Sequence, residues 1–279
     1  MQSERFRGRN VLITGGSSGI GLETAVIFGK LGANLFLVAR NQGRLAEAAE
    51  TIRRRVGTGS QVVTLPADVG AREEIEGVIH TVGREYGGLH TLINNAGMFI
   101  SGRVKDSSVE DLEQIMMVNY FGMVFASKAA WPYLKAAGRG HIGFVASVAG
   151  YLGMIGYGGY APTKFAVAGL AECLRMEAAE DGIGVTIVFP PDTDTPQLHY
   201  ENETALPENL ALKQGSRVLP PELVAEKFVN GIVNNQFEVM CSLESRFYRW
   251  MKATWPGLYF WVLDGIVARD RRRRGVTKG

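Results

Sequence analysis

The chain has 279 residues, of which 46% are hydrophobic and 21% are charged, and its formal net charge is +2. A chain of this length and composition can bury one large core, which excludes an intrinsically disordered protein. Apart from five arginines near the C-terminus the chain is slightly acidic, so we expect no nucleic-acid binding. Cys173 and Cys241 lie far apart in the sequence, so we expect no disulfide and a reducing, cytoplasmic compartment. No ligand spacing joins the histidines, so we expect no metal and place them on the surface or in loops: His80, His90, His141 and His199.

The first predicted element is a buried strand at the apolar residues 10–14. A glycine-rich turn follows, and residues 23–28 then have a helical pattern. Strand, glycine turn and helix in this order are typical of a site that holds the pyrophosphate of a dinucleotide at the helix N-terminus. We expect Gly15 to permit the tight turn, Gly19 to admit the phosphates and Gly21 to let helix and strand pack closely. The predicted cofactor contacts in this turn are Gly15, Ser17, Ser18, Gly19, Ile20 and Gly21.

The end of the second predicted strand, at residues 34–39, indicates which dinucleotide binds. An acidic residue there would bind the ribose 2′-hydroxyl of NAD. The chain instead has Arg40, with Arg44 one turn into the next helix. A guanidinium pairs well with the additional phosphate of NADP, although an ordinary exposed arginine is the alternative. The sequence therefore predicts NADPH/NADP as the cofactor.

Four further apolar runs alternate with amphipathic, helix-like segments and predict strands. Strands that alternate with helices form a parallel sheet covered on both faces. These predicted strands are residues 61–66, 89–94, 141–147 and 184–189.

The next predicted helix carries Tyr160 and Lys164, whose four-residue spacing puts both side chains on one face. A tyrosine ionises near pH ~10, and a neighbouring ammonium favours the phenolate and lowers that pKa. The hydroxyl then becomes a usable general acid or base. Ser147, at the end of the preceding predicted strand, would hold the oxygen whose charge changes. Tyr157 lacks a lysine at the same spacing, since position 161 is alanine.

The glycine turn, Asp68-Val69, Asn94-Asn95-Ala96-Gly97, Asn119, Ser147 and the tyrosine–lysine pair follow one another along the chain. This order resembles the short-chain dehydrogenase/reductase superfamily over residues 8–240. The resemblance implies a Rossmann-like, doubly wound parallel α/β sheet in a single domain with a C-terminal helical extension. We expect residues 1–240 to form the NADP-binding reductase domain and residues 241–279 to form the extension. A homo-oligomer is also implied.

The same resemblance assigns roles to individual residues. Lys164 should position the nicotinamide ribose, and Asn119 should orient a water that links Lys164 to solvent. Asp68 and Val69 should hold the adenine edge. The implied catalytic residues are Asn119, Ser147, Tyr160 and Lys164, and the implied further cofactor contacts are Asn95, Ala96, Gly97, Tyr160, Thr193 and Thr195.

The segment after the sixth strand, Pro190-Pro-Asp-Thr-Asp-Thr-Pro, departs from the Pro-Gly-x-Val-x-Thr that is common in the superfamily. It resembles the 3-ketodihydrosphingosine reductases, as do residues 37–41 and 169–172. That resemblance implies a long-chain, lipid-like ketone as substrate. A 3-oxoacyl-thioester or steroid reductase, or a regulatory protein that binds NADP without catalysis, are the alternatives. Asp192 or Asp194 would suit a substrate amine, or these aspartates cap local turns.

The C-terminal fifth should determine which substrate binds. Residues 197–219 look polar and irregular, and a helix is predicted to begin at the prolines 220–221. Aromatic residues then concentrate at residues 248–263 ahead of the arginine cluster 269–274. This pattern suits a helix in a membrane interface, on the cytosolic face, or a helix docked on the protein or a partner subunit. The N-terminus has no apolar segment, which favours a cytosolic or peripheral membrane enzyme.

Overall fold

The computed structural model describes residues 6–57 and 59–275. Its centre is one parallel sheet of seven strands in the order β3-β2-β1-β4-β5-β6-β7. The strands are β1 (Asn10–Thr14), β2 (Asn34–Ala39), β3 (Val62–Pro66), β4 (Thr91–Asn94), β5 (His141–Val145), β6 (Gly184–Phe189) and β7 (Glu238–Met240). The order reverses direction between β1 and β4, and such a switch point leaves a crevice at the carboxyl ends of the two strands. The predicted doubly wound parallel sheet is confirmed.

The strands read as continuous apolar runs because both faces of the sheet are covered. Successive side chains of a strand point to opposite faces. In β1, Leu12 packs into one buried cluster, whereas Val11 and Ile13 pack into the other. In the same way, Phe36 and Leu35 of β2 enter opposite clusters. A strand whose two faces both pack into a core has apolar side chains on both faces, so its sequence is a continuous apolar run and does not alternate with polar residues.

Helices form the two outer layers. The helices are α1 (Gly19–Lys30), α2 (Gln42–Val56), α3 (Arg72–Glu85), α4 (Val109–Met116), α5 (Gly122–Ala136), α6 (Tyr160–Glu177), α7 (Pro196–Thr204), α8 (Pro207–Lys213), α9 (Pro221–Val233), α10 (Leu243–Thr254) and α11 (Pro256–Arg273). Helices α3, α5 and α6 contribute to the hydrophobic cluster on one face of the sheet, and α1, α2 and α9 contribute to the cluster on the other face.

Three details of the sequence-based expectation are wrong. Residues 197–219 are not irregular, because Pro196 and Pro207 each stand at the head of a helix, where a missing N–H costs nothing. The short strand β7, which pairs with the sheet edge at β6, was not foreseen. His141 is neither a surface nor a loop residue: it is buried in β5 and its Nε2 contacts Thr186 Oγ1 at 2.9 Å.

The C-terminal helices fold back over the carboxyl end of the sheet. A buried carboxylate, Glu208 of α8, contacts three arginines, two of which lie at the C-terminal end of α11. Arg103 lies 2.7 Å from Glu208 Oε1, Arg271 lies 3.2 Å from the same oxygen, and Arg274 lies 3.3 Å from Oε2. Two of these arginines belong to the C-terminal basic cluster, which therefore binds the protein itself. Within the described ranges, no helix combines the length and apolar character needed to cross a bilayer.

Candidate active site

A cleft of about 870 Å³ opens at the carboxyl ends of the strands, at the switch point. The glycine turn and the start of α2 form one side, and the start of α6 with Ser147 forms the floor. The segment from Pro190 to Glu201, the end of α8 and the inner side of α11 close the other side. Side chains from distant parts of the chain therefore meet in one cavity, which is typical of ligand sites in α/β proteins.

The glycine turn is held by the segment that follows β4. Asn95 Nδ2 donates to the carbonyl oxygens of Thr14 and Gly15, both at 3.0 Å. Thr14 Oγ1 accepts the backbone N–H groups of Asn95 at 3.0 Å and Ala96 at 3.1 Å. Gly15 has a φ of +64°, and a Cβ there would lie 2.7 Å from Asn95 Nδ2. A Cβ on Gly21 would overlap the Gly15 carbonyl oxygen, so both positions require glycine.

The N-terminus of α1 is free to receive an anion. Its N-cap residue, Ser18, makes no side-chain capping bond, so the first N–H groups of the helix keep their capacity to donate. Those groups and the helix dipole attract a phosphate. Because the turn has no Cβ at Gly15 and Gly19, the backbone lies open to the cleft.

A second cationic site lies at the start of α2. Asn41 caps this helix by accepting the Arg44 N–H at 2.9 Å. Arg40 is exposed and lies 3.9 Å from Asp68, a loose contact that leaves most of its guanidinium donors unused. The Asp68 carboxylate also accepts the Gly70 N–H at 2.9 Å, which orders the loop after β3. Arg40 and Arg44 both line the cleft and provide two positive charges for a phosphate group.

Tyr160 and Lys164 stand one turn apart at the start of α6, and both are buried. Lys164 Nζ lies 5.6 Å from the centre of the Tyr160 ring and donates to the Val145 carbonyl oxygen at 3.1 Å. Burial lowers the pKa of Lys164 to about 8. The pKa of Tyr160 is raised by burial and by the charges of Glu201 and Asp192, while hydrogen bonds with Ser147 and Gln197 act the other way.

The sequence predicts a lowered pKa for Tyr160, but in the structure burial and the charges of Glu201 and Asp192 raise that pKa. Both groups are buried, and burial favours the neutral form of each. A neutral tyrosine still carries the proton that a general acid must donate, so the arrangement suits reduction of a carbonyl group.

Asn119 lies behind the cleft in a π-helical turn, Met117–Phe121, between α4 and α5. Its side chain is fully buried and accepts the Met98 N–H at 2.8 Å. Its amide donates to the Met98 carbonyl at 3.0 Å and to Thr163 Oγ1 at 3.1 Å. Asn119 therefore ties the loop after β4 to α6, between the two catalytic candidates. The predicted role in ordering a water stays a prediction.

The structure brings most of the predicted site residues together. Gly21 and Asn119 lie behind the surface of the cleft, where they support the turn and α6. The predicted residues that line the cleft are Gly15, Ser17, Ser18, Gly19, Ile20, Arg40, Arg44, Asp68, Val69, Asn95, Ala96, Gly97, Ser147, Tyr160, Lys164, Thr193 and Thr195.

Sequence reasoning missed the residues that α7, α8 and α11 add to the cleft. Gln197 and Glu201 of α7 lie near Tyr160, and Lys213 ends α8. To place these residues in the cleft, the sequence would have had to predict the helices within residues 197–219. It does not, because α7 has almost no amphipathic pattern. Asp194 is exposed and contacts His199, so of the two candidate aspartates only Asp192 lines the cleft. The α11 residues in the lining are Tyr259, Val262, Leu263 and Ile266.

Residues 9–206 match the family described as short chain dehydrogenase. The chain belongs to this family. A short-chain dehydrogenase is an oxidoreductase that uses a nicotinamide cofactor, and the open glycine turn, the uncapped α1 terminus and the two arginines fit such a group.

The relatives of this short-chain dehydrogenase include 3-ketodihydrosphingosine and 3-dehydrosphinganine reductases. It is 39% identical to the 3-ketodihydrosphingosine reductase of Bos taurus over 232 residues, which are 82% of this chain and 70% of that protein. It is 39% identical to a 3-dehydrosphinganine reductase of Arabidopsis thaliana over 238 residues, 84% of this chain and 70% of that protein. The crystal structure of levodione reductase has a TM-score of 0.76, with 24% identity, and covers 85% of this chain and 96% of that one. That likeness concerns the fold alone.

Proposed function

We propose that this short-chain dehydrogenase uses NADPH to reduce 3-dehydrosphinganine, or a closely related long-chain 3-oxo amine, to the alcohol. The observation that carries the reaction type is the meeting of Tyr160, Lys164 and Ser147 in one cleft with the glycine turn. The choice of substrate rests on the 39% sequence identity to the 3-ketodihydrosphingosine reductase of Bos taurus and to a 3-dehydrosphinganine reductase of Arabidopsis thaliana.

In this mechanism a nicotinamide held in the cleft beside Tyr160 would supply a hydride for the carbonyl carbon. Tyr160, which burial keeps protonated, donates its proton to the carbonyl oxygen. Ser147 steadies the same oxygen, since it hydrogen-bonds to the Tyr160 hydroxyl. Lys164 lies on the same helix face and would bind the ribose of the cofactor. Asn119 donates a hydrogen bond to Thr163 and so helps to position α6.

The choice of NADPH rests on Arg40 and Arg44. The two guanidiniums flank the Asn41 cap at the end of β2, where a carboxylate would be needed to favour NAD. A 2′-phosphate placed there would gain charge-assisted hydrogen bonds. The adenine edge would lie beside Asp68 and Val69, and Thr193 and Thr195 would contact the nicotinamide half.

A long apolar substrate is supported by a second groove of about 710 Å³ that lies against α11. It shares four residues with the cleft: Met154, Tyr157, Leu212 and Leu263. Most of its other lining is apolar, including Phe165, Phe260 and Val267. A ketone at Tyr160 could therefore extend a hydrocarbon chain past Leu263 without leaving apolar surroundings. Each buried methylene would contribute about 0.8 kcal/mol.

The test follows NADPH consumption against 3-dehydrosphinganine, a matched 3-oxoacyl thioester and a steroid ketone. We expect the 3-oxo amine to have the highest kcat/KM. Tyr160→Phe should reduce turnover by about 10²-fold or more while NADPH binding stays near normal. Tyr86→Phe, far from the cleft, is the matched control.

Two alternatives would be recognised in the same assay. A preference for the thioester or the steroid keeps the reaction type and changes the substrate. NADPH binding without turnover of any ketone would indicate a regulatory protein, against which the presence of both Tyr160 and Lys164 argues.

We also propose that residues 1–240 form the reductase unit and that the extension 241–279 contacts an anionic membrane surface on the cytosolic side. Trp250 of α10, Trp255 between the two helices and Trp261 of α11 are 50%, 53% and 72% exposed. Arg272 and Arg273 are exposed at the end of α11 and complement anionic head groups. A homo-oligomer remains a prediction, which light scattering would measure.

A further inference from the structure

A cluster of two carboxylates and one lysine lines the cleft beside Tyr160. Lys213 Nζ lies 2.6 Å from Glu201 Oε1 and 3.1 Å from Asp192 Oδ2. The side chains of Lys213 and Glu201 are only 10% and 8% exposed. The hydroxyl of Tyr157 donates a further hydrogen bond to Glu201. All of these side chains belong to the wall of the cleft.

The formal charge of this cluster is unbalanced, because two carboxylates share one ammonium. A buried charge is costly unless it is paired, so the cluster gains from a second cation. Capping of a turn does not explain the arrangement. The contacts of the Asp192 carboxylate are Lys213 and the Ser216 hydroxyl at 3.5 Å, which are both side-chain groups.

Glu201 is close to the reacting atoms. The rings of Tyr157 and Tyr160 are perpendicular, with their centres 5.8 Å apart, and Glu201 is bonded to the first of them. The charge of Glu201 reaches the Tyr160 hydroxyl and contributes, after burial, most to the raised pKa of that group. If the oxygen of a ketone lies at the Tyr160 hydroxyl, a group on the carbon beside the carbonyl would lie near the Glu201 carboxylate.

We propose that Glu201 binds the ammonium group of an amino ketone, and that Lys213 then remains paired with Asp192 alone. Each carboxylate then has one cation, so the buried charge is balanced only when the amine is bound. Lys213 can move away from Glu201 because it is the last residue of α8, and Gly215, in the left-handed region at a φ of +87°, lies two residues further on. This inference rests on the proposed function and deepens it: Glu201 selects amino ketones over neutral ones.

The experiment measures binding rather than turnover. A water-soluble short-chain sphinganine and the matched diol without the amino group are titrated into the full-length protein with bound NADP, and tryptophan fluorescence or calorimetry is recorded. Glu201→Gln should weaken binding of the amine about ten- to a hundredfold, the value of a charge-assisted hydrogen bond, and change diol binding little. Glu203→Gln, an exposed carboxylate on the same helix, is the control. Lys213→Met should tighten binding of the amine, because a competing ammonium is removed.

Equal weakening of amine and diol by Glu201→Gln, or no weakening of either, would overturn the proposal. If Lys213→Met does not fold, as judged by circular dichroism, the Glu201→Gln comparison decides alone.

Failure of the proposed function is recognised separately. A wild type that binds the amine in preference to the diol but reduces no ketone disproves the reductase and supports the Glu201 site. A wild type that reduces ketones without preferring amines disproves the site and leaves the reductase intact.

Discussion

Arg40 shows how one exposed side chain can determine cofactor choice. Its ion pair with Asp68 is long, at 3.9 Å, so little has to be broken before a phosphate binds. We expect Arg40→Ala to weaken NADPH binding about ten- to a hundredfold and NADH binding much less. Fluorescence titration with both cofactors measures this difference, and Arg54→Ala on the outer side of α2 is the control. Equal losses for both cofactors would assign Arg40 a structural role.

Lys164 gives a pH dependence whose sign follows from burial. Since burial lowers its pKa to about 8, the side chain is charged below that pH and neutral above it. An ammonium attracts the cofactor, so NADPH affinity should fall as pH rises from about 7 to about 9.5, by at most about tenfold per pH unit. Lys164→Arg keeps the charge over this range and should give a flat profile. A flat profile in the wild type would show that the charge of Lys164 contributes nothing to cofactor binding.

The sequence predicts the reacting residues better than it predicts their electrostatics. The spacing of Tyr160 and Lys164 depends only on helix geometry, which is local. The pKa of Tyr160 depends on Glu201 and Asp192, which approach it only because α7 and α8 fold over the cleft. No local sequence pattern predicts that these carboxylates come close to Tyr160, so the sequence alone does not give the direction of its pKa shift.

At the scale of elements, α11 depends on the contact of Glu208 with three arginines. Removing that charge should loosen the helix while the sheet stays intact. Glu208→Gln should cost about 1.5–3 kcal/mol in the docking of α11, which appears as about ten- to a hundredfold faster amide exchange in residues 256–273. It should also raise KM, because α11 forms one wall of the cleft. Glu226→Gln, exposed on α9, should leave both quantities unchanged, and unchanged exchange in Glu208→Gln would refute this account.

The elements themselves differ in how far they could be predicted. β1 and β2 were placed at their observed bounds because they are buried on both faces and bounded by glycine or polar residues. β7 has three residues at the sheet edge and lacks enough length for a pattern. The helices α7 and α8 carry proline at their first position, but their side chains face a cavity instead of a core, so no apolar stripe marks them.

At the scale of the molecule, the exposed aromatic residues of α10 and α11 predict membrane binding. We expect the double change Trp255→Ser and Trp261→Ser to release the protein from anionic vesicles in a sedimentation assay, whereas Met176→Ser, also exposed but on α6, should not. The double change Arg272→Ala and Arg273→Ala should weaken binding to anionic vesicles by about 1 kcal/mol per charge removed. This loss of affinity should be smaller at high salt, because salt screens the attraction. Arg271 and Arg274 are unsuitable for this test because both bind Glu208.

A wild type that ignores vesicles would contradict the membrane proposal. If the same protein is a dimer that the tryptophan changes convert to a monomer, the aromatic surface is a subunit interface. The reductase proposal is independent of either result.

The attachment of α11 through Glu208 also makes the enzyme sensitive to acid. Burial opposes ionisation of this carboxyl, but a backbone N–H, Arg271 and the charges of Arg103 and Arg274 together hold its pKa below the usual value. A glutamate whose pKa is lowered in the folded protein contributes stability above its unfolded pKa of about 4.3, and that stability is lost as pH falls through the lowered value. Neutral and mildly acidic solutions therefore leave α11 in place. We expect stronger acid to protonate Glu208 and to loosen α11, one wall of the cleft, before the sheet unfolds; amide exchange in residues 256–273 followed against pH measures this.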